Sequence, residues 1–484
     1  MNQARLRDRS RSKGRFMMLL TIGTVLMTSP TLRAQASGLS MEPRGLAQAN
    51  PPPAKIKGSF KLVTIGELLY SRAMANSVDP AFQAVAKLVR DSDLTIAEQE
   101  GVFFDLTKFK GVPGSGGLIG LPEKAGDEKA MGIGLVALAN NHTGDWGYDS
   151  LLEMERLLDA AGVAHAGAGG NLTDARKAAI LATPRGRIAM VSTASTFKFL
   201  SNATDRFGDA PARPGISVLR LHRIDLVPAE QFAALRAFAL GSTKFSHPPP
   251  SSEATEVTLD GSTFRQAMRA GVLWEMNAFD HSDLLGAIRK AKHDADFVIF
   301  TIHAHESPTG MDDDNPETAP FLVQLFHDAV DAGADFIYGH GQHSLRGIEI
   351  YKGRPLFYGV GAYFLSGDLK QMGDAATEVY ESPGMRLPSR PSPDREVTAN
   401  PGGVNPSVWY DGIVAVTEYD GPTLKTIRLY PLDLGNTPDR ARRGIPHFAD
   451  AATAERILRK LQAISAPFGT KIEIQGSVGV IRVN

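Results

Sequence analysis

Short apolar runs alternate with segments of helical periodicity along most of this chain. The pattern predicts strands at 60–65, 94–97, 133–139 and 188–192, and helices at 80–90 and 148–161. The same alternation returns strongly over residues 297–364. This rhythm is typical of an α/β fold, in which polar residues just past the strand ends form the functional site.

The C-terminal part is also patterned for regular structure. Residues 409–432 predict two strands around the turn Asp420-Gly421-Pro422, and residues 450–464 predict a helix. Residues 472–483 predict a terminal hairpin. We expect these elements to complete the same domain.

Three stretches interrupt the alternation. Residues 105–127 are rich in glycine and predict a long loop, whereas 197–280 carry helical pieces and 369–406 are rich in Pro, Gly, Ser and charge. We interpret all three as insertions that could wall a substrate cleft. Partial disorder is an alternative for the last two.

Charge and composition restrict the class of protein. With 484 residues, 43% hydrophobic content and a net charge of −1, the chain has a globular composition and no global field for a polyanion such as nucleic acid. It contains no cysteine, which excludes disulfides, thiolate ligands and a cysteine nucleophile. Any chemistry therefore uses oxygen and nitrogen groups.

The N-terminus predicts an export signal. Arginines and a lysine precede an apolar run at 16–27, and Ala34-Gln35-Ala36 follows as a small-x-small cleavage site. We expect a periplasmic or cell-envelope location, with an uncleaved signal that tethers the chain to the membrane as the alternative. The predicted organisation is a signal peptide at 1–36, a Pro/Ala-rich linker at 37–57, a main domain at 58–368 with an insertion near 197–280, a loop at 369–408, and a completing segment at 409–484.

Five polar clusters follow predicted strands. They are Gly66-Glu67, Glu98-Gln99-Glu100, Asn140-Asn141-His142 with Asp145, His303-Ala304-His305-Glu306, and Gly339-His340-Gly341-Gln342-His343. Each cluster alone is weak evidence, because a polar residue at a strand end is often a cap or a turn residue. Parallel strands, however, deliver their carboxyl ends to one edge of a sheet, so the five clusters could converge on one crevice.

Together the clusters provide ligands for borderline divalent ions. Carboxylates, an asparagine and imidazoles suit Mn²⁺, Fe²⁺ or Zn²⁺. Two such ions, roughly 3.5 to 4 Å apart, need a bridging carboxylate and mixed ligands, and can clamp the oxygens of a transition state. A histidine that binds no metal can then protonate the leaving group, and we expect His142 to be this acid.

The order and spacing of these motifs resemble the CapA family of capsule and poly-γ-glutamate synthesis proteins. The most specific matches are ALANNHTGDWG and YGHGQHSLRGIEIYKGRPLFYGVGAYF, and the resemblance covers roughly residues 60–364 apart from the insertions. That family is similar to the calcineurin-like metallophosphoesterases. The resemblance implies a four-layer α/β/β/α sandwich with a dinuclear metal site.

The resemblance also implies roles for individual residues. The metal ligands would be Glu67, Glu100 as the bridge between ions, Asn141, His303, His340 and His343. His142 would act as the acid beside the metals, and Arg72 would orient an anionic group of the substrate. Asp145 is expected to hold the ring of His142 or its loop by a supporting contact.

Three positions depart from the family pattern. Glu67 replaces an aspartate, Glu98 replaces an asparagine, and His305 replaces the glycine of the usual His-Trp-Gly. Glu98 could be a solvated turn residue, or it could add negative charge that either strengthens cation binding or repels an anionic substrate. His305 is an extra possible ligand, although we favour a position lining the pocket. His142 could alternatively cap the helix that follows it.

Two functions from different classes fit this sequence. The first is an exported metal-dependent hydrolase or transferase that acts on a phosphoester or on an anionic capsule-type polymer. The second is a non-catalytic component of an envelope assembly machine that binds or anchors the polymer. A membrane-bound capsule synthesis complex is a possible partner for either, and nucleic acid is not expected.

Overall fold

The computed structural model describes residues 53–71, 73–105, 107, 119–198, 200–241, 250–366, 407–437, 439 and 442–483. They lie in one compact unit, Ala49–Asn484. The predicted signal peptide, most of the linker and nearly all of the loop at 369–408 lie outside the described residues, and so does Arg72. The boundaries given above for these segments stay predictions.

The described residues form the following strands in chain order: β1 (Ser59–Leu69), β2 (Leu94–Glu98), β3 (Val102–Phe103), β4 (Ile119–Gly120), β5 (Ile133–Ala137), β6 (Ala164–Ala166), β7 (Ala168–Gly169), β8 (Ala179–Thr183), β9 (Gly186–Ala194), β10 (Gly215–Ile216), β11 (Leu221–Val227), β12 (Glu256–Leu259), β13 (Ser262–Gln266), β14 (Gly271–Met276), β15 (Phe297–Ala304), β16 (Glu306–Ser307), β17 (Gly310–Met311), β18 (Phe336–Gly341), β19 (Ile348–Tyr351), β20 (Arg354–Phe357), β21 (Ala362–Leu365), β22 (Asp411–Asp420), β23 (Thr423–Asp433), β24 (His447–Phe448), β25 (Glu473–Gln475) and β26 (Val478–Arg482).

The helices are α1 (Pro80–Arg90), α2 (Lys124–Ala130), α3 (Tyr148–Ala161), α4 (Leu172–Arg176), α5 (Ala229–Gly241), α6 (Ala278–Asp294), α7 (Pro320–Ala332) and α8 (Ala451–Ser465). Local chemistry explains the start of α1, where the Asp79 side chain accepts a hydrogen bond from the backbone of Ala81 and Pro80 occupies the first turn. The helix then buries apolar residues on one face, as the sequence periodicity predicts.

Two large mixed sheets organise the molecule, so the α/β class predicted from the sequence is confirmed. Among the described residues, the first sheet has the strand order β25-β26-β23-β22-β1-β2-β5-β6, and the second has the order β19-β20-β18-β15-β9-β8. Strand β1 is parallel to β2 and antiparallel to β22. In the second sheet, β15 is parallel to both β9 and β18.

Apolar clusters connect these sheets to the helices. One cluster contains residues of both sheets, such as Leu62 of β1 and Ile299 of β15. A second joins the first sheet to α1 and α3, and a third joins the second sheet to α6 and α7. Burial of these faces holds the strand ends that carry the polar clusters in fixed positions.

The insertions differ from their sequence-based predictions. The segment 197–280 contains the four-stranded sheet β12-β13-β11-β14 as well as α5, so it is richer in strand than predicted. The segment 105–127 leads into α2, which begins at Lys124 rather than after a loop that extends to residue 127. The four-stranded sheet and α2 each bury a face of apolar or mixed polar and apolar residues, and short windows of sequence do not reveal such a face.

None of the described helices combines the length and the apolar character needed to cross a membrane.

Candidate metal centre

The carboxyl ends of strands from both large sheets bring the predicted ligands together. Glu67 of β1 is the register partner of Glu98 of β2, and His303 of β15 is the register partner of His340 of β18. Within the described residues, one ligand atom from each member lies within 4.8 Å of the others in two groups, Glu98-His303-His340 and Glu67-Glu100-His343.

Gly66 determines how Glu67 reaches this centre. A Cβ atom at residue 66 would lie 1.6 Å from the carbonyl oxygen of Gly361. The backbones at residues 66 and 361 can therefore come this close only if residue 66 is glycine. Strand β1 continues to Leu69 instead of ending at residue 65, because Glu67 pairs with Ala362 of β21. Glu67 is therefore part of the strand, and its register with β2 shifts just before it.

The first ligand group is built around the carboxylate of Glu98. Its Oε1 atom accepts a hydrogen bond from Nδ1 of His303 at 2.6 Å. Its Oε2 atom lies 2.6 Å from Nδ1 of His340, although this second contact lacks hydrogen-bond geometry. The side chains of all three residues are fully buried.

The second ligand group joins Glu67 to His343. Oε1 of Glu67 accepts a hydrogen bond from the backbone of Gly341, and its Oε2 lies 2.8 Å from Nδ1 of His343. Glu100 completes the group, with one oxygen 3.8 Å from the same His343 nitrogen. His343 has a φ of 56°, a left-handed conformation that is costly for a residue other than glycine.

Burial and neighbouring charges both shift the pKa values of residues in the second group. Burial raises the pKa of Glu100 well above its ordinary value, and the charges of Glu98 and Glu67 add to that effect. Burial acts to lower the pKa of His343, but Glu67 and Glu100 outweigh it and raise this pKa to about 10. A cation beside Glu100 would favour its charged form, because it would offset the repulsion from the other carboxylates.

His142 lies at the edge of this centre and pairs with Asp145. Nδ1 of His142 is 2.7 Å from Oδ2 of Asp145, and Nε2 of His142 is 3.7 Å from Oε1 of Glu100. Lys198 contacts the other oxygen of Asp145. The side chain of His142 is one-quarter exposed, so one side of it can be reached from solvent. Burial of the rest lowers its pKa against the opposing effect of Asp145.

The two neighbouring asparagines have different surroundings. Oδ1 of Asn140 accepts hydrogen bonds from the backbones of His142 and Thr143, and its Nδ2 donates to the Gln99 carbonyl, so Asn140 holds the loop. Asn141 instead directs its amide nitrogen to within 3.3 Å of Nε2 of His305, and its Oδ1 is buried without a hydrogen-bond partner among the described residues.

The structure thus gathers Glu67, Glu100, Asn141, His142, Asp145, His303, His340 and His343 around one centre. Arg72 lies outside the described residues, and its predicted role stays a prediction. The sequence predicted either a solvated turn residue or an added site charge at Glu98, and the turn residue is wrong because Glu98 is fully buried at the end of β2. Its contacts with His303 and His340 were not predicted. The available signal was a charged residue at the end of the apolar run 94–97, a position that is fully buried in β2.

Several buried polar atoms test whether divalent ions fit here. Both oxygens of Glu100 and Nε2 of His340 have no hydrogen-bond partner among the described residues, whereas Nδ1 of His340 faces Glu98. Buried polar atoms are almost always paired, because an unpaired one loses its hydration without compensation. Coordination to a cation would satisfy these atoms, and their mixture of oxygen and nitrogen suits Mn²⁺, Fe²⁺ or Zn²⁺. The residues therefore fit such ions.

Comparison with known proteins gives relatives of three kinds. The uncharacterized protein y4uA of Sinorhizobium fredii is 37% identical over 436 residues, which cover 88% of this chain and 93% of that protein. A probable polyglutamine synthesis accessory protein of Mycobacterium tuberculosis is 26% identical over 47% of this chain and 44% of its own length. The PGA biosynthesis protein CapA of Bacillus subtilis is 34% identical over 19% of this chain and 23% of its own length.

A family model for the bacterial capsule synthesis protein PGA_cap matches residues 61–366. The matched range extends from within β1 to just past β21 and contains every residue of the two ligand groups. This agrees with the resemblance drawn from the strand-end motifs. The chain belongs to the PGA_cap family of bacterial capsule synthesis proteins, with CapA as a named relative.

Proposed function

We propose that this protein is an exported, CapA-like enzyme of capsule or poly-γ-glutamate biosynthesis that hydrolyses or transfers an anionic polymer or a phosphoester at a dinuclear metal site. One observation carries the proposal: two groups of buried carboxylates and imidazoles meet at one edge of the sheets, and neither oxygen of Glu100 has a hydrogen-bond partner among the described residues. Membership of the PGA_cap family supports the polymer class.

The chain offers ligands for two ions. Glu67, Glu100 and His343 would hold one ion, while Asn141, His303 and His340 would hold the other. Bound ions would supply Lewis-acid polarisation of a substrate oxygen and would lower the pKa of a water molecule. Glu98 contacts the Nδ1 atoms of His303 and His340 and would orient both rings.

His142 is the proton carrier of the proposed reaction. Asp145 accepts a hydrogen bond from Nδ1–H of His142, which leaves Nε2 directed towards Glu100 and the centre. In hydrolysis, Nε2 accepts a proton from the attacking water and returns it to the oxygen or nitrogen of the leaving group. Asp145 stabilises the imidazolium that exists between these two transfers.

The finer architecture is part of the proposal. An apolar cluster shared by both sheets, with helix-packed clusters on their other faces, supports the four-layer α/β/β/α arrangement of the metallophosphoesterases. In that arrangement the centre lies where the strands of both inner sheets end. An envelope location and association with a membrane-bound capsule synthesis complex belong to the same proposal, and membership of a capsule synthesis family supports the location.

The proposal is tested with the purified chain after loading with Mn²⁺. A chromogenic phosphodiester and a γ-glutamyl oligomer are offered as substrates. We expect turnover of at least one, and a decrease of roughly a hundred-fold to ten-thousand-fold in kcat for His142→Ala at unchanged metal content. His293→Ala is the matched control, because His293 also lies beside an aspartate but is 88% exposed on α6.

The outcomes separate two functions. Turnover that depends on His142 and not on His293 supports the enzyme. Binding of the γ-glutamyl polymer by a metal-loaded chain that turns over neither substrate contradicts catalysis, and supports a component that holds or anchors the polymer.

A further inference from the structure

His305 lies at the end of β15, two residues after His303, and its ring is directed into the centre. The residue is only 8% exposed. Its backbone N–H donates to Oγ1 of Thr196 at 3.0 Å, which fixes the turn that follows the strand. Both ring nitrogens of His305 have close neighbours, Asp313 at Nδ1 and His303 at Nε2.

The Nδ1 atoms of His303 and His305 each face a carboxylate. Nδ1 of His305 lies 2.6 Å from Oδ1 of Asp313, just as Nδ1 of His303 lies 2.6 Å from Oε1 of Glu98. A carboxylate accepts hydrogen bonds, so each Nδ1 carries the proton of its neutral ring. Each Nε2 is then left with a lone pair.

These two lone pairs face one another. Nε2 of His305 lies 3.0 Å from Nε2 of His303. Two acceptor nitrogens at this distance repel each other unless a cation or an added proton lies between them. The amide of Asn141 approaches the same point, with Nδ2 at 3.3 Å from Nε2 of His305. Rotation of the amide by a half-turn would place its unpartnered Oδ1 there instead.

The spacing matches that of ligands around one ion. Ligand atoms bound at about 2.0 to 2.1 Å stand roughly 3 to 3.4 Å apart, depending on the coordination angle. The contacts of His305 with His303 and Asn141 lie within this interval. Both histidines are also held by carboxylates behind them, which is the usual support for an imidazole that binds metal.

Asp313 is itself held in place by residues around the centre. Its backbone carbonyl accepts a hydrogen bond from Oγ of Ser344 at 2.6 Å. The next residue, Asp314, accepts from Nε1 of Trp409, whose ring packs against His343 with a centroid distance of 4.7 Å. The segment that carries Asp313 is thus tied to the strand-end loop that supplies the other ligand group.

We propose that His305 is a further metal ligand, which joins His303 and Asn141 on one ion, and that Asp313 is its positioning residue. This inference rests on the proposed metal-dependent function. The added imidazole makes this half of the centre rich in nitrogen, which favours Zn²⁺ or Fe²⁺ over the oxygen-seeking Mg²⁺ and Ca²⁺.

The test measures metal binding rather than activity. The full chain is stripped with a chelator and titrated with Zn²⁺ by calorimetry, with His305→Ala, Asp313→Asn and His293→Ala prepared in parallel. We expect two binding events in the wild type and a loss of roughly ten-fold to a hundred-fold in affinity at one of them for His305→Ala. Asp313→Asn should weaken the same event to a smaller extent, and His293→Ala should bind as the wild type does.

The results distinguish failure of the metal-dependent function from failure of the role of His305 as a ligand. A wild type that binds no Zn²⁺ would overturn both the metal-dependent function and this inference. Two events of unchanged affinity in His305→Ala would overturn the inference alone. A zinc-loaded wild-type crystal provides a measurement that needs no variant: an ion at about 2.1 Å from Nε2 of His305 supports the proposal, and an ion bound only to other residues contradicts it.

Discussion

The Nδ1 atom of His142 lies 2.7 Å from the Oδ2 atom of Asp145, three residues further along the loop that follows β5. This contact fixes the ring so that its other nitrogen is directed towards the buried Glu100 carboxylate. The pair therefore lies where the proposed reaction needs a proton carrier, beside the candidate metal centre.

Removal of the charge of Asp145 should impair turnover more than metal binding. Asp145→Asn keeps the size of the side chain but cannot stabilise a His142 imidazolium, so we expect kcat to fall by about a hundred-fold or more. Metal content should remain that of the wild type. Asp159→Asn is the control, because Asp159 pairs with His165 away from the centre. Equal activities in both variants would remove the proposed role of Asp145.

Glu98 should act on metal affinity through the two histidines it contacts. Glu98→Gln removes the carboxylate that orients His303 and His340, so we expect the dissociation constant of one ion to rise roughly ten-fold to a hundred-fold. Calorimetric titration measures this change. The matched control is Glu349→Gln, which loses a carboxylate that pairs with His327 outside the centre. An unchanged metal affinity in Glu98→Gln would show that its contacts do not support ligands.

Substitution of Gly66 should destabilise the fold because its neighbours are backbone atoms. A Cβ atom there would lie 1.6 Å from the Gly361 carbonyl oxygen, and we expect Gly66→Ala to lower the free energy of unfolding by about 3 kcal/mol or more. Gly286 lies within α6 with no atom within 4 Å of its added Cβ, so Gly286→Ala should raise that free energy by about 0.5 to 1 kcal/mol. Urea denaturation compares the two. Equal effects would contradict the proposed close approach of β1 and residue 361.

Glu128 on α2 should make stability depend on pH. Its carboxylate is buried without a hydrogen-bond partner among the described residues, and burial raises its pKa from 4.5 to about 8. The folded state thus prefers the protonated acid. Ionisation of Glu128 therefore has no effect on the free energy of unfolding below about pH 4.5, and it lowers that free energy as the pH rises from there to about 8. The penalty grows by at most about 1.4 kcal/mol for each pH unit in that window.

Glu128→Gln removes this titration. We expect the Tm of the variant to exceed that of the wild type at pH 8 and the difference to shrink towards pH 5. The neighbouring Lys124, whose pKa burial lowers from 10.5 to about 8, stays charged over most of the window. A Tm difference that is constant between pH 5 and pH 8 would show that Glu128 is not protonated in the folded state.

Local signals in the sequence were sufficient for much of the fold. The helices α1 and α3 have the predicted bounds, because a capping aspartate with a proline begins α1 and a left-handed glycine at residue 162 ends α3. The hairpin of β22 and β23 turns at the predicted Asp420-Gly421-Pro422. The strands of the 197–280 insertion were missed, because their pairing, not their local pattern, stabilises them.

The site shows the same division between local and distant information. The strand-end motifs indicated which residues meet, since parallel strands end together. The environment of Glu98 could not be predicted from its neighbours in the chain, because its partner His303 is 205 residues away. The contact of His305 with Asp313 depends likewise on the turn that brings residue 313 back over the strand end.

The metal content of the purified chain tests the central claim most directly. The protein is purified without chelators, and its transition metals are quantified by mass spectrometry beside Glu100→Ala and the control His293→Ala. We predict about two divalent ions per wild-type chain, fewer in Glu100→Ala and the wild-type number in His293→Ala. A wild-type chain that retains no transition-metal ion, and whose Tm does not rise on addition of Mn²⁺, Fe²⁺ or Zn²⁺, would contradict the metal centre.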